Sequence, residues 1–234
     1  MTGEAPPGGA NARTAHLRTR PLTLALPKGR LLDEALPLLG RAGFPLPPLN
    51  GSDRRLLVEE GGWRYLLVRP SDVPTYVEYG AADVGLVGKD VLLEQEPSVA
   101  ELADLGFGAC RLVVAVPGSS AIQEVDELDF HSRVATKYPR VAERFFQEQG
   151  LSIELVTLKG SIELAPAMGL AEAILDLTQT GRTLEENRLR VIAEVARSSA
   201  RLIANPVRLR LREEALAPWL DRLLAAANEG GGTP

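Results

Sequence analysis

The sequence predicts an α/β protein of two lobes with mainly parallel sheets, and three observations carry that reading. Short apolar strands alternate with amphipathic helical stretches along the chain. The alternation falls into two blocks, with the β-branched run 111–116 (RLVVAV) as the crossing between them. A late apolar return at 201–205, followed by an amphipathic helix over 211–226, sends the chain back to the first block. The expected divisions are a disordered leader over 1–20, lobe I from 21–108 plus 196–227, lobe II over 109–195 and a disordered tail over 228–234.

Composition narrows the class. Of 234 residues, 45% are hydrophobic and 24% charged, which suffices for a sizeable core. The net charge of −5 comes without a basic block, which argues against nucleic acid as a partner, so each Arg and Lys is weighed singly as a phosphate ligand. Cys110 is the single cysteine, so neither a disulfide framework nor a Cys-based metal site is expected; its apolar neighbours mark it as core. Only His16 and His131 are present, which speaks against a His-based metal site or a Ser/His/Asp triad. No apolar run approaches the ~18 residues of a membrane span. The leader lacks a secretory apolar core, and its Pro and Gly fit a transit peptide poorly, which points to the cytoplasm.

Residues 22–26 form the first strand, ended by Pro27. Lys28, Gly29 and Arg30 make a basic turn at its carboxyl end, where α/β folds bind ligands, or a solvated pair of charges. A helix over 31–42 follows, its apolar face Leu32, Ala35, Leu36 and Leu39, with Pro37 working against its regularity. Arg54 and Arg55 lead into a strand through 59, another spans 64–69, and a helix runs to Tyr79. In GAADVGLVGKD (80–90), a short buried strand is punctuated by Gly85 and Gly88 and exits at Lys89 and Asp90. Its glycines allow backbone to approach a ligand, or simply a tight turn. Strand 133–136 leads through Lys137 and Tyr138 to a helix closing at Gly150, and 153–158 is a further strand. Gly160, Ser161 and Glu163 open a helix-like run containing Pro166. Residues 190–195 and 201–205 are apolar enough for a return strand or pair.

The stretch 173–187, AILDLTQTGRTLEEN, organises the whole. Residues 173–177 suit a buried strand with Asp176 near its end. Residues 178–183 are a loop of hydroxyls around Gly181, and Glu185 and Glu186 open a helix. Strand, hydroxyl-and-glycine loop and helix start make a phosphate site, with backbone N–H groups and threonine hydroxyls as donors. It is not a Walker A loop, because no Gly-Lys-Ser/Thr follows. An acid just before the loop suits a ligand with both hydroxyls and a phosphate, a ribose 5-phosphate; an ordinary βα turn with a capping threonine is the alternative.

Together, LALPKGR (24–30), Arg54 with Arg55, VPTYVEYGAADVGLVGKD (73–90), ATKYP (135–139), GSIELAP (160–166) and DLTQTGRTL (176–184) resemble the ATP phosphoribosyltransferase family. The resemblance runs from about residue 22 to about residue 224. It implies a type II periplasmic-binding-protein-like pair of lobes with the active site in the inter-lobe cleft. The implied reaction joins N1 of ATP to C1 of phosphoribosyl pyrophosphate with inversion and release of pyrophosphate, and requires Mg²⁺. The length resembles the short form, which implies a regulatory partner resembling histidyl-tRNA synthetase, in a hetero-octamer.

The chemistry asks little of acid–base groups, because adenine N1 is already nucleophilic and pyrophosphate leaves readily. It needs cations for the departing charge and alignment of two anionic substrates. The resemblance therefore points to Arg30 and Arg54 as catalytic contacts to pyrophosphate and ATP phosphates. Lys28 and Arg55 are flanking substrate ligands, Arg55 set apart because neighbours on a strand face opposite ways. Glu163 and Asp176 accept from the ribose hydroxyls, directly or through Mg²⁺, while Thr178, Thr180, Gly181, Arg182 and Thr183 hold the 5-phosphate. Lys89 and Asp90 border the ATP site or form a surface ion pair, Tyr138 lines the second lobe's side or packs, and His131 is a surface residue. A nucleobase-salvage phosphoribosyltransferase is a rival, but it places two acids together where Asp176 is followed by Leu177. A bilobal small-molecule binding module or an inactive paralogue are the others.

Overall fold

The computed structural model describes residues 20–49 and 54–230, so the leader, apart from Arg20, lies outside the described residues. In chain order the elements are β1 (Leu22–Pro27), α1 (Arg30–Arg41), β2 (Leu57–Glu60), β3 (Trp63–Val68), α2 (Val73–Glu78) and β4 (Val84–Gly88). Then come α3 (Lys89–Gln95), β5 (Ala100–Asp104), β6 (Cys110–Pro117), β7 (Arg133–Thr136), α4 (Pro139–Glu148) and β8 (Glu154–Thr157). β9 (Ala173–Thr178), α5 (Arg182–Glu186), β10 (Leu189–Ser198), β11 (Ala200–Ala204), α6 (Pro206–Leu211) and α7 (Glu213–Gly230) complete the series. The closing helix thus reaches three residues into the stretch read as a tail.

The chain forms two compact units. The first takes residues to Val87, Pro97–Gly106 and the chain from Arg201; the second takes Gly88–Glu96 and Phe107–Ala200. The sequence reading carried 88–96 within lobe I. In the structure this segment holds α3, whose Glu94 carboxylate accepts the N–H groups of Arg140 and Val141 at the start of α4, at 3.2 and 3.1 Å. Those two donors have no partner inside a helix, which is why a carboxylate there binds them.

The first unit is built on a six-stranded sheet in the order β2-β3-β1-β4-β11-β5. β1 pairs parallel with β3 and β4, whereas β2 on β3 and β5 on β11 are antiparallel. The parallel character predicted from sequence therefore belongs to the middle of a mixed sheet. β1 is buried along its whole length, which explains its largely apolar sequence. α1 buries Leu32, Ala35, Leu38 and Leu39 and runs through Pro37, which sits on the exposed face where the carbonyl it leaves unbonded meets water. Trp63, fully buried, packs against Phe44 at 4.9 Å and Trp219 of α7 at 5.4 Å between ring centroids. That aromatic contact fastens the closing helix to the sheet.

Gly85 of β4 is a packing glycine. A Cβ there would lie 2.8 Å from a Val77 methyl and 2.9 Å from a Val73 methyl, so its absence lets α2 lie directly on the strand. Gly85→Ala is expected to destabilise the protein by about 1–3 kcal/mol through overpacking, read from the urea midpoint. An unchanged midpoint would show that α2 yields without cost.

The second unit has a five-stranded mixed sheet in the order β10-β6-β9-β7-β8. β7 is parallel to both β8 and β9; β6 is antiparallel to β9 and β10. The pair left open at 190–195 and 201–205 resolves into β10 in this sheet and β11 in the other. Side chains alternate between two cores. Leu175, Val134 and Leu112 face Tyr138, Val141 and Phe146 on one side. Ile174, Ala135 and Val113 face Ile162, Ala165 and Leu184 on the other. The helix-like run expected after Gly160 shrinks to a single 3-10 turn at Ile162–Leu164, with Pro166 just beyond it.

Candidate active site

The second unit collects chemistry at the carboxyl ends of three neighbouring parallel strands. β9 delivers Asp176 and the loop 178–183, β7 delivers Lys137, and β8 delivers Lys159 and the turn bearing Glu163. Asp176 shares the sheet face of Ile174, and Ile162, Ala165 and Leu184 pack on that same face. Those apolar anchors seat the Glu163 turn and α5 on the sheet face that bears Asp176. Ser161, with φ of 51°, sits in the left-handed region and turns the chain into the Glu163 segment.

The Asp176 carboxyl is held above the ordinary aspartate range. Burial is the largest cause, and the nearby Glu163 charge adds to it; the Leu177 N–H and Lys137 pull the other way. The Leu177 N–H donates to Oδ1 at 2.8 Å, which fixes the side chain at the strand end. A half-buried acid beside a second acid is an unfavourable arrangement for folding, and such arrangements cluster at sites of function.

The loop is closed by its own hydroxyls. Thr178 is buried and its Oγ1 accepts the Gly181 N–H at 3.1 Å; Thr180 Oγ1 accepts the Arg182 N–H at 3.4 Å. Gly181 has φ of 84°, a conformation that favours glycine. The helix that follows is only five residues long, so its dipole contributes little; hydroxyls and loop amides define this end. Arg182 is exposed and its Nε donates to Glu186 at 2.8 Å, and the Thr183 carbonyl accepts from Asn187.

In the first unit, Lys28 and Arg30 flank Gly29 at the carboxyl end of β1. The Lys28 N–H donates to the Val68 carbonyl at 2.8 Å, which sets the turn beside the end of β3. Arg30 is exposed and lies 3.4 Å from Glu34, one helical turn on. Arg69, which the sequence reading passed over, follows β3 at this same edge and is also exposed; a basic residue closing RYLLVR was the available signal. Arg54 and Arg55 precede β2 rather than lying on it, so strand alternation does not separate them. Both are exposed, and Arg55 Nη2 donates to the Pro48 carbonyl.

Asp90 and Lys89 occupy a different setting. Asp90 is buried and engaged on both oxygens: Ser198 Oγ donates to Oδ1 at 2.9 Å, and Tyr138 Oη donates to Oδ2 at 3.0 Å. The Asp90 N–H in turn donates to Ser198 Oγ at 2.9 Å. A Cβ on Gly88 would fall 2.2 Å from Asp90 Oδ1, so this glycine makes room for the carboxylate. Burial and the Asp90 charge push the Tyr138 hydroxyl well above the usual tyrosine range, so it stays a donor. The Lys89 N–H donates to the Ser199 carbonyl at 2.9 Å.

Among the described residues no group of three or more His, Cys, Asp or Glu makes a metal cage, and no helix is long and apolar enough to cross a membrane. The nearby carboxylates of Asp176 and Glu163 supply the hard oxygen donors at this edge.

Two mixed α/β units of this kind are the periplasmic-binding-protein-like fold. Solved structures at 11–16% identity share that fold with TM-scores of 0.53–0.60, among them a protein bound to L-arginine (12% identity, TM-score 0.60, 95% of this chain and 90% of that one). The HisG family model, ATP phosphoribosyltransferase, matches residues 69–225. An ATP phosphoribosyltransferase of Rubrobacter xylanophilus is 55% identical over 82% of this chain and 90% of its own length. One of Moorella thermoacetica is 52% identical over 91% and 96%. The solved ATP phosphoribosyl transferase (HisG:HisZ) complex from Thermotoga maritima aligns with a TM-score of 0.76 at 36% identity, over 89% of this chain and 99% of that one. The chain belongs to the ATP phosphoribosyltransferase family. Catalysis in this family needs a metal ion.

Proposed function

We propose that this protein transfers the 5-phosphoribosyl group from phosphoribosyl pyrophosphate to N1 of ATP, giving phosphoribosyl-ATP and pyrophosphate, the first step of histidine biosynthesis. The observation that carries the reading is the β9 edge: a half-buried Asp176, with Glu163 beside it, running directly into a hydroxyl-closed glycine loop. Carboxylates accept from ribose hydroxyls, and the loop's amides and hydroxyls donate to a 5-phosphate.

In the reaction the C1–oxygen bond to pyrophosphate breaks as N1 approaches C1 from the opposite face. Charge accumulates on the departing pyrophosphate, and fixed cations stabilise it most where it grows. Arg30 and Arg54 take that role, with Lys28 and Arg55 as flanking contacts to phosphate. Asp176 and Glu163 orient the ribose, and Thr178, Thr180, Gly181, Arg182 and Thr183 hold the 5-phosphate. The Asp176–Glu163 pair fits Mg²⁺, which binds through one or two carboxylates and substrate phosphates and, when bound, neutralises charge on the pyrophosphate. Lys89 and Asp90 border this machinery, Asp90 through its bonds to Ser198 and Tyr138. Family membership supports a cytoplasmic enzyme, and the Thermotoga maritima complex supports a HisZ-like regulatory subunit; a hetero-octamer is the assembly we propose.

The test is an absorbance assay for phosphoribosyl-ATP with ATP, phosphoribosyl pyrophosphate and Mg²⁺, with and without a HisZ-like partner. Arg54→Ala is expected to lower kcat about a hundredfold, the loss typical of one oxyanion-stabilising donor, with its melting temperature unchanged. No product from the native protein in either condition would sink the reaction; full activity in Arg54→Ala would remove that residue from it.

A further inference from the structure

We infer that Lys137 is a phosphoribosyl pyrophosphate-contacting cation, placed for that task by Tyr138 and Asp90; this rests on the function proposed above. The carboxyl edge of β9, β7 and β8 brings together two acids, Asp176 and Glu163, where a polyanionic substrate has to bind. Carboxylates there recognise ribose hydroxyls but repel phosphates, so a fixed protein cation at the same edge favours the bound substrate beyond what Mg²⁺ supplies. β7 is the strand immediately beside β9, with Thr136 opposite Leu175, so Lys137 emerges next to the strand end that bears Asp176.

The side chain is exposed, yet not left to wander. Its ammonium lies 5.7 Å from the centroid of the Tyr138 ring, within the range of cation–π attraction. Tyr138 is fixed at its backbone and at the tip of its ring. The Tyr138 N–H donates to Thr136 Oγ1 at 2.8 Å, and its hydroxyl donates to the buried Asp90 carboxylate at 3.0 Å. Ser198 holds the other Asp90 oxygen. A buried tyrosine–aspartate bond braced by a serine is a rigid mount, and what stands on it is a lysine at the substrate edge. Asp90 and Tyr138 are then positioning residues, and Lys137 is the group that touches substrate.

Equilibrium titration of the full chain with phosphoribosyl pyrophosphate and Mg²⁺ tests this, alongside steady-state KM values for both substrates. Lys137→Met is expected to weaken phosphoribosyl pyrophosphate binding about tenfold or more, the loss of one charged hydrogen bond, with KM for ATP and the melting temperature unchanged. Lys137→Arg is expected to recover most of the affinity. Tyr138→Phe keeps the ring and removes the Asp90 bond; it is expected to weaken binding in the native background and to have no effect in Lys137→Met, because it acts through Lys137. Native-like binding by Lys137→Met overturns the proposal, and equal effects of Tyr138→Phe in both backgrounds overturn the positioning role. If the native chain itself fails to bind phosphoribosyl pyrophosphate, the proposed function falls and the proposal with it, an outcome distinguishable because the native protein shows it first.

Discussion

Asp176→Asn is expected to reduce turnover about a thousandfold while leaving the protein at least as stable as the native form at neutral pH. Asn keeps the oxygen that accepts the Leu177 N–H, so the local geometry survives. It loses the charge that burial disfavours. The sign follows from the raised pKa. Because the native state holds this proton more tightly than the unfolded chain, the group favours folding most below the ordinary aspartate value of 3.8, and that benefit is lost as pH rises through the higher native value. Once ionised, the native carboxyl is a half-buried charge next to Glu163. The stability gained by Asn over Asp is therefore expected to be small in acid and to grow as pH rises towards neutrality. Thermal melts of both proteins across that interval measure it. An Asn variant that melts lower at neutral pH would make Asp176 a structural anchor instead, and one that keeps its activity would remove it from the site.

Arg212→Ala is expected to cost about 3–5 kcal/mol, the largest single loss of stability in the first unit. Arg212 and Asp83 are 4% and 3% exposed and lie 2.8 Å apart, so neither charge reaches water if the other is removed. Arg212, between α6 and α7, also donates to the carbonyls of Arg20 and Pro21, and Asp83 accepts the Thr23 N–H at 2.8 Å. The pair therefore ties the entry of β1 to the region where the last two helices meet. Asp83→Asn combined with Arg212→Met is expected to recover much of the loss, because Asn still accepts from Thr23 and no lone charge remains. Urea unfolding of the three variants decides it; a double variant no better than Arg212→Ala would show that the Arg212 bonds to backbone carbonyls dominate.

Which parts of this molecule were legible in the sequence follows from burial. β1, β6 and β9 are buried over most of their length, so each reads as a largely apolar run. β5 is an edge strand without a fully buried residue, and its AELAD gives no periodic signal. α3 was missed because, of seven residues, only Asp90 and Leu92 are buried, and one of them is charged. The Asp176 loop was visible because a strand, an acid and a glycine lie in one short stretch. Lys137 was not, since its relation to Asp176 depends on β7 and β9 being neighbours. The partners Asp83 and Arg212, 129 residues apart, leave no local trace at all. GLVGKD was read as a ligand approach or a turn; the structure shows glycines making room, Gly85 for a helix and Gly88 for a buried carboxylate.

The placement of β11 between β4 and β5 has a consequence for synthesis. On the ribosome β5 emerges without its partner, and the strand it pairs with follows only after the whole 107–200 stretch has been made. The second unit is nearly contiguous and is free to fold while its translation continues, whereas the first sheet waits for a strand from the far end of the chain. Such distant pairing is slow, so completion of the first sheet is expected to be the late step in the birth of the enzyme. Until then, the edges of β4 and β5 are what a nascent chain presents to chaperones.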